Sequence, residues 1–447
     1  MPATFLRLFL AAGTIAAVCG GINSTRPHIV FIFADDLGWA DTSLHGAVQI
    51  PTPNMDALAS MSVVLNNYYV QQECTPSRAS LMTGLFPIHH GLHYPLMPAS
   101  TSGLPLQMKL LPEHLKDLGY ETHMVGKPMF LYLAEQATHS AYSPVSLQAP
   151  DANVEKFTYI GDQNRAIYAG MVDALDQSIG SLMEALEEAG MLSNTLLVFS
   201  ADNGALPYGP GQNYGFNWPL RGTKLSLWEG SLRAAAFVWS PLLDNSPRVS
   251  TDLMHVSDWL PTLYSAADGV DMWQALHMVG LSPRTELLHD IDADAGTAAI
   301  RYEDYKLVVG SYGDPWDGRY EVIGSSGPQR DLDEMQAESR TARVLSRFYH
   351  DPRLVERGSS EWRREATVDC GRDASTTNFA SGEPSYLYNL KEDPCELHNL
   401  ANESSKMVSF LLEKLSAYRE SARPEIVGDV DERGYPEKHN GVWAPWE

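Results

Sequence analysis

The sequence predicts an α/β protein with a mostly parallel sheet flanked by helices, followed by a smaller C-terminal domain on an antiparallel sheet. Three observations predict it. Two continuous apolar runs, His28 to Ala34 and Thr195 to Ser200, each end in an acidic turn, Asp35-Asp36-Leu37-Gly38 and Ala201-Asp202-Asn203-Gly204. A long amphipathic segment separates them, and the texture of the chain changes after about residue 280. An apolar run without polar alternation is a strand buried on both faces, as in a parallel sheet covered by helices. In such sheets the sites lie at the carboxyl ends of the strands, where both acidic turns fall.

Each element follows in chain order. Residues 5 to 18 are apolar apart from a few positions such as Arg7, and small residues follow around Cys19. The run is too short for a membrane span and reads as a secretory signal peptide over 1–21; a lipoprotein signal with Cys19 lipidated is the alternative. Residues 22–280 then form the larger domain. Pro76 suits the first turn of a helix and leaves Cys74 just before its N-terminus. Thr122 to Gly126 and Met129 to Leu133 both read as buried strands. From about Asp162 to Ala189, Ile167, Met171, Leu175, Ile179, Met183 and Leu186 recur at helical spacing on one face, and Gly190 stops the helix. In residues 281–447, Ala299 to Gly310 and Tyr386 to Leu390 look like short strands, with a helix near Ser405 to Ala422. No internal repeat is visible.

Composition narrows the function. The 447 residues carry 32 basic and 56 acidic side chains, a net charge of −24. That balance argues against a nucleic-acid partner or an anionic membrane surface. A polyanionic substrate would be repelled at long range, so it requires local positive charge or an acidic compartment. Of four cysteines, removal of Cys19 and use of Cys74 leave Cys370 and Cys395, which are able to form one disulfide in an oxidising compartment. Asn23-Ser24-Thr25 and Asn402-Glu403-Ser404 are glycosylation sequons. Asp35, Asp36, Asp202 and Asn203 offer hard oxygen ligands, suited to calcium or magnesium.

The run from Cys74 to Arg78, CTPSR, closes with Thr83-Gly84. A bare Cys-Thr-Pro is an ordinary cysteine beside a helix start; Ser77, Arg78, Thr83 and Gly84 in register distinguish this one. The pattern resembles the modification motif of the sulfatase family. In that family a formylglycine-generating enzyme oxidises the motif cysteine during secretion to an aldehyde, whose hydrate is the nucleophile. Unpaired amide N–H groups at the helix start favour an anion such as a sulfuryl group. IPTPNMDALA (Ile50 to Ala59), NWPLRGTKLSLWEG (Asn217 to Gly230), HVSDWLPTL (His255 to Leu263) and GVWAPW (Gly441 to Trp446) are similar to the arylsulfatase B subgroup, which includes N-acetylgalactosamine-4-sulfatase.

The resemblance implies an alkaline-phosphatase-like fold and hydrolysis of sulfate esters of glycosaminoglycans or aryl alcohols. It implies one calcium ion held by Asp35, Asp36, Asp202, Asn203 and the converted Cys74. Arg78 and Lys127 would lie near the formylglycine, with His139 and Lys224 on the sulfate and leaving oxygen. The family's setting is the secretory pathway, lysosomal or extracellular. A phosphatase or phosphodiesterase of the same superfamily would want Ser or Thr as nucleophile, and zinc, so Cys74 argues against that reading.

One departure stands out. The family continues from the lysine as Gly-Lys-Trp-His-Leu-Gly, whereas this chain reads Gly126-Lys127-Pro128-Met129. An internal deletion after Lys127 accounts for it. Parallel neighbours need a crossover of a dozen or more residues. The flanking segments therefore form an antiparallel hairpin, or one has left the sheet, or both are one continuous strand. The lost histidine is the family's natural base for regenerating the aldehyde, so an impaired homologue or shortened isoform that binds sulfated glycans without turnover is the alternative.

Overall fold

A computed structural model of the chain describes residues 26–121, 129–141, 146–264, 269–277, 282–356, 360–370 and 377–442. The signal segment, Asn23, Lys127, the Thr122 to Gly126 run and most of the GVWAPW stretch lie outside them. The strands are β1 (His28–Ala34), β2 (Val63–Leu65), β3 (Tyr68–Tyr69), β4 (Phe130–Ala134), β5 (Thr195–Ala201), β6 (Ala236–Trp239), β7 (Arg248–Ser250), β8 (Met254–His255), β9 (Glu286–Asp292), β10 (Thr297–Tyr302), β11 (Tyr305–Val309) and β12 (Ser385–Asn389).

Six of them form a mixed sheet in the order β4-β1-β5-β6-β2-β7. The pairs β4/β1, β1/β5 and β2/β7 are parallel, while β6 runs antiparallel to both neighbours. β1 and β5 lie in the middle, and their side chains from Ile29 to Ala34 and from Thr195 to Ala201 are buried. This is why neither shows polar alternation. β4 is the edge strand beside β1, so the Met129 to Leu133 run does enter the sheet, parallel and one residue later than expected.

The long helix spans Gln163–Glu188, with the Asp162 side chain accepting from the Arg165 amide at 2.9 Å as its N-cap. Met171, Leu175, Ile179, Met183 and Leu186 are buried, as the spacing requires, and Ile167 is half-buried. Two of its residues seat the Pro53–Ala59 helix. Gly180 permits the approach, since a Cβ there would fall 2.6 Å from Asn54 Oδ1. Asp176 accepts from the amides of Asn54 (3.2 Å) and Met55 (2.8 Å), which the first turn of that short helix leaves without partners.

The second sheet is antiparallel, in the order β12-β11-β10-β9. Ala299 to Gly310 is not one strand but a hairpin. Tyr302 pairs with Tyr305 and Glu303 takes a positive φ of 52° at the turn, a demand that no glycine in the sequence announces. The Ser405–Ser421 helix places Leu411 and Leu415 against this sheet's core. Cys370 and Cys395 form the disulfide that the cysteine count allows, with their Cα atoms 5.7 Å apart.

The two sheets meet at a buried ion cluster. Lys306 Nζ on β11 lies 3.0 Å from Glu229 Oε1 and 2.9 Å from Glu396 Oε1, all three side chains being sealed from solvent. Glu229 also accepts from Tyr69 at 2.8 Å. Burial would raise the Glu229 carboxyl, but Lys306, Arg233 and Arg301 outweigh it and hold it below its ordinary value. Glu396 has fewer cations: burial pushes it up to about 7, against Lys306 and with Glu229 adding to the rise. Replacing Lys306 by Met leaves two buried carboxylates without their shared cation. We expect urea denaturation at neutral pH to show a loss of about 3–5 kcal/mol. The pH dependence has a definite sign. A raised carboxyl binds its proton more tightly folded than unfolded, so its stabilising contribution is lost as pH rises from its ordinary 4.5 through about 7. Glu396→Gln is expected to flatten the fall of Tm over that window.

Candidate active site

Pairing between β1 and β5 builds the site. Ala34 stands opposite Ala201, and the Asp202 amide donates to the Ala34 carbonyl at 3.0 Å, so both acidic turns leave the sheet side by side. Asp36 turns back with a positive φ of 57° while almost fully buried, a strained conformation of the kind that concentrates at functional sites. Its amide donates to Asp202 Oδ1 (3.1 Å) and its Oδ1 accepts from Asn203 Nδ2 (2.7 Å). Two residues beyond the sheet clamp the turn. Thr138 Oγ1 donates at 3.1 Å to the carbonyls of both Asp35 and Asp36, and Asn213 Nδ2 donates to Asp36 O at 2.8 Å.

Among the described residues three buried oxygens of this cluster accept no hydrogen bond: Asp35 Oδ1, Asp36 Oδ2 and Asn203 Oδ1. His139 Nε2 stands 3.6 Å from Asp36 Oδ2. Asp35, Asp36 and His139 each offer an atom within 4.8 Å of the others. Burial, with Asp202 and Asp36 adding to it against Arg78 and Lys224, pushes Asp35 up to about 9. Orphaned carboxylate and amide oxygens that repel one another are a donor set for a hard divalent cation.

The helix Cys74–Thr83 brings the remaining groups. Cys74 is its first residue and Glu73 its N-cap, so the thiol sits in the first turn rather than just before it. Ser77 fastens this end to the sheet: its hydroxyl accepts from the Gln71 amide (2.8 Å) and donates to the Asp202 carbonyl. One turn after Cys74, Arg78 donates through Nε to Asp202 Oδ2 (3.0 Å) and lies 3.3 Å from Asp35 Oδ2. Its guanidinium covers the Phe33 ring at 5.1 Å and donates to the Tyr132 hydroxyl at 3.2 Å.

Lys224 arrives from the Asn217 to Gly230 stretch. Its Nζ lies 2.6 Å from Asp36 Oδ1, and its amide donates to Ala205 O at 3.0 Å. Burial alone would lower it, but Asp36, Cys74 and Asp202 outweigh that and raise it. The Cys74 thiol is the one free cysteine among the described residues and is partly exposed. Burial, with Asp202, Asp35 and Asp36 adding to it against Lys224, pushes it up to about 12, so the unconverted thiol stays protonated and a weak nucleophile.

Of the nine residues expected from the sequence, Asp35, Asp36, Cys74, Arg78, His139, Asp202, Asn203 and Lys224 converge here, and Lys127 lies outside the described residues. Ser77, Tyr132, Thr138 and Asn213 were not anticipated as site residues. Ser77 carried a signal, being inside the motif. The other three have none, because each is brought in by tertiary pairing.

Carboxylate and amide oxygens that fit a hard cation, two fixed cationic side chains and a helix start meet at one strand edge of an α/β sheet. Comparison with known proteins names the class. The sulfatase family profile matches residues 27–128 and 126–270. Arylsulfatase J of Mus musculus is 30% identical over an alignment covering 96% of this chain and 81% of that protein. Arylsulfatase A of Homo sapiens is 26% identical, covering 86% of each. Among solved structures, Ps i-CgsB in complex with k-i-k-neocarrahexaose superposes with a TM-score of 0.65 at 21% identity, over 93% of this chain and 97% of that one, a likeness of fold. The chain belongs to the sulfatase family.

A divalent cation that binds the folded chain alone raises its stability by mass action, about 2.7 kcal/mol at a hundredfold excess over Kd. We expect chelator-treated protein to gain Tm on addition of calcium, and Asp36→Ala with Asn203→Leu to abolish the gain in a thermal melt.

Proposed function

We propose that this chain hydrolyses sulfate esters, with Cys74 converted to formylglycine by a formylglycine-generating enzyme and one calcium ion held by Asp35, Asp36, Asp202, Asn203 and the converted residue. The observation that carries this reading is the meeting of Cys74, the orphaned oxygens, Arg78 and Lys224 at one strand edge. The hydrated aldehyde would supply a hydroxyl nucleophile and the calcium ion would neutralise sulfate oxygens. The chain's own groups do the rest. Arg78, locked between Asp202 and Asp35 and stacked on Phe33, holds positive charge one turn from position 74. Lys224 is held charged by Asp36 and faces Cys74, where an ammonium can bind a sulfate oxygen or the leaving oxygen. His139, beside Asp36, is the group within reach of a departing alcohol, and Lys127 completes the set by resemblance.

The proposed substrate is an N-acetylgalactosamine sulfate of a glycosaminoglycan, as in the arylsulfatase B subgroup, with aryl sulfates as surrogates. The proposed setting is the secretory pathway, ending in the lysosome or outside the cell. The Cys370–Cys395 disulfide supports an oxidising compartment. Asn402 is exposed in its sequon and open to glycosylation. Among the described residues no helix is long and apolar enough to cross a membrane. We also take 22–280 as the catalytic domain and 281–447 as the smaller one.

A second reading has its own support. The family profile breaks at residues 126–128, and the alignment to arylsulfatase J runs over 537 positions against the 447 residues of this chain. Both are consistent with an internal deletion after Lys127 and loss of the family's histidine, leaving a homologue that holds sulfated glycans with little turnover.

Mass spectrometry of the peptide bearing Cys74, from protein made in a secreting host, is the direct test: formylglycine is expected, and thiol or disulfide alone would end the enzymatic reading. With conversion established, Cys74→Ala is expected to abolish hydrolysis of a chromogenic aryl sulfate. Lys224→Ala should lower kcat by about 10²–10³. Saturable sulfate binding without turnover in the unaltered chain would favour the second reading.

A further inference from the structure

The stretch that carries Lys224 is a closed loop. The Gly230 amide donates to the Arg221 carbonyl at 2.6 Å, so residues 221–230 leave the fold and return to it at one point. The middle of the loop leans on the strand edge: the Lys224 amide donates to Ala205 O (3.0 Å) and the Leu225 amide to Gln72 O (2.9 Å). Leu225 has a positive φ of 83°, in the left-handed region that residues other than glycine seldom adopt. Such a conformation persists only where the surroundings over-determine it, so the ends of the loop have to be held.

Glu396, which follows β12, meets both ends. Its carbonyl accepts from Arg221 Nε at 3.0 Å, and its Oε2 accepts from the Glu229 amide at 2.9 Å. Its other carboxylate oxygen lies 2.9 Å from Lys306 Nζ, so the clamp stands on β11. The residue before it, Cys395, is sealed from solvent and joined to Cys370. Glu396 is itself sealed and has a positive φ of 54°. Arg221 is fixed in turn, with its guanidinium 4.0 Å over the Phe379 ring and Nη1 donating to Asp317 O at 3.1 Å. Adjacent amides continue the seam, Gly222 donating to Gly318 O (2.8 Å) and Thr223 to Trp316 O (3.1 Å). The loop is therefore gripped at its ends by the C-terminal sheet and its flanking segments, while its middle presents Lys224 to the acidic corner.

We propose that Glu396 is a positioning residue for Lys224: by holding Arg221 and the Glu229 amide together it keeps the loop closed, and so keeps the Lys224 ammonium 2.6 Å from Asp36 Oδ1. The placement of the buried cation is then set from the C-terminal sheet, and with it the anion affinity that the cation confers. That last consequence rests on the proposed sulfate-binding role of Lys224, whereas the positioning does not.

The test reads Lys224 directly. An amine-reactive acetylating reagent is applied to the full-length chain without metal or sulfate, and the modified lysines are identified by mass spectrometry. Lys224 is 7% exposed and Lys306 sealed, whereas Lys156 is exposed. In the unaltered chain Lys156 should react and Lys224 should be protected. Glu396→Ala should speed acetylation of Lys224 about tenfold with Lys156 unchanged. Glu396→Gln keeps an acceptor for the Glu229 amide and should restore the protection. Arg221→Met frees the other end and leaves the ion cluster whole, so it decides the outcome if Glu396→Ala exposes Lys306 as well. Unchanged protection of Lys224 in both Glu396→Ala and Arg221→Met would overturn the proposal. A second measurement titrates inorganic sulfate calorimetrically in the presence of calcium, where Glu396→Ala should raise the sulfate Kd about tenfold. Faster acetylation with sulfate affinity unchanged, in Glu396→Ala and Lys224→Ala alike, would uphold the positioning and remove Lys224 from the anion site.

Discussion

Three carboxylates forced together at the ends of β1 and β5 are the constraint from which the rest of the site follows. Two unit charges about 4 Å apart repel by about 4 kcal/mol at the effective dielectric of a protein, and Asp35, Asp36 and Asp202 share one corner. The fold answers with Arg78 on Asp202 and Asp35 and with Lys224 on Asp36. Among the described residues two cations face three carboxyl groups, and without a further cation Asp35, pushed up to about 9, keeps its proton. A divalent ion at these oxygens would displace that proton and leave the corner with one excess positive charge, two cations and the ion against three carboxylates.

The same accounting explains how a chain of net charge −24 can recruit an anion. Long-range repulsion belongs to the whole surface and is screened within about 10 Å at ordinary salt. The proposed anion binding would be decided locally by two cations, Lys224 buried and Arg78 half-buried, whose positions are fixed from different parts of the chain. Arg78 is set by the helix that Ser77 ties to β5, and Lys224 by the backbone contact of its own amide with Ala205. Each is also paired to the carboxylates of the corner, Arg78 to Asp202 and Asp35 and Lys224 to Asp36, so their charge is aimed there before any ligand arrives.

Much of this was legible in the sequence, for a physical reason. β1 and β5 are central, so their burial on both faces is written as unbroken apolar runs, and their acidic ends must emerge at one edge. The long helix follows from its 3.6-residue spacing. What was not legible depends on pairing at a distance. The β10/β11 hairpin turns on Glu303 and Asp304, residues with no strong turn signature, and so reads as one segment. Asn213 and Thr138 clamp the Asp36 turn from far along the chain. The start of the Cys74–Thr83 helix was placed one residue late, because Glu73 serves as N-cap without a capping side-chain bond.

β4 bears most directly on the departure after Lys127. Its parallel register with β1 brings its exit loop to the acidic corner: the Asp35 amide donates to Ala137 O at 3.0 Å, and Thr138 and His139 follow onto Asp36. Among the described residues that corner gathers Asp35, Asp36, Asp202, Arg78, Lys224 and His139. A deletion ahead of β4 would leave in the chain the residues proposed to hold a metal ion and a sulfate, which come from β1, β5, the Cys74–Thr83 helix and the loop after β4, and would remove a proton-transfer group of the family. Binding and turnover then depend on separable parts of the chain. An impaired relative of this kind would lose kcat while keeping its affinity for the anion, since the charge that attracts the anion is fixed by β1, β5 and the Cys74–Thr83 helix.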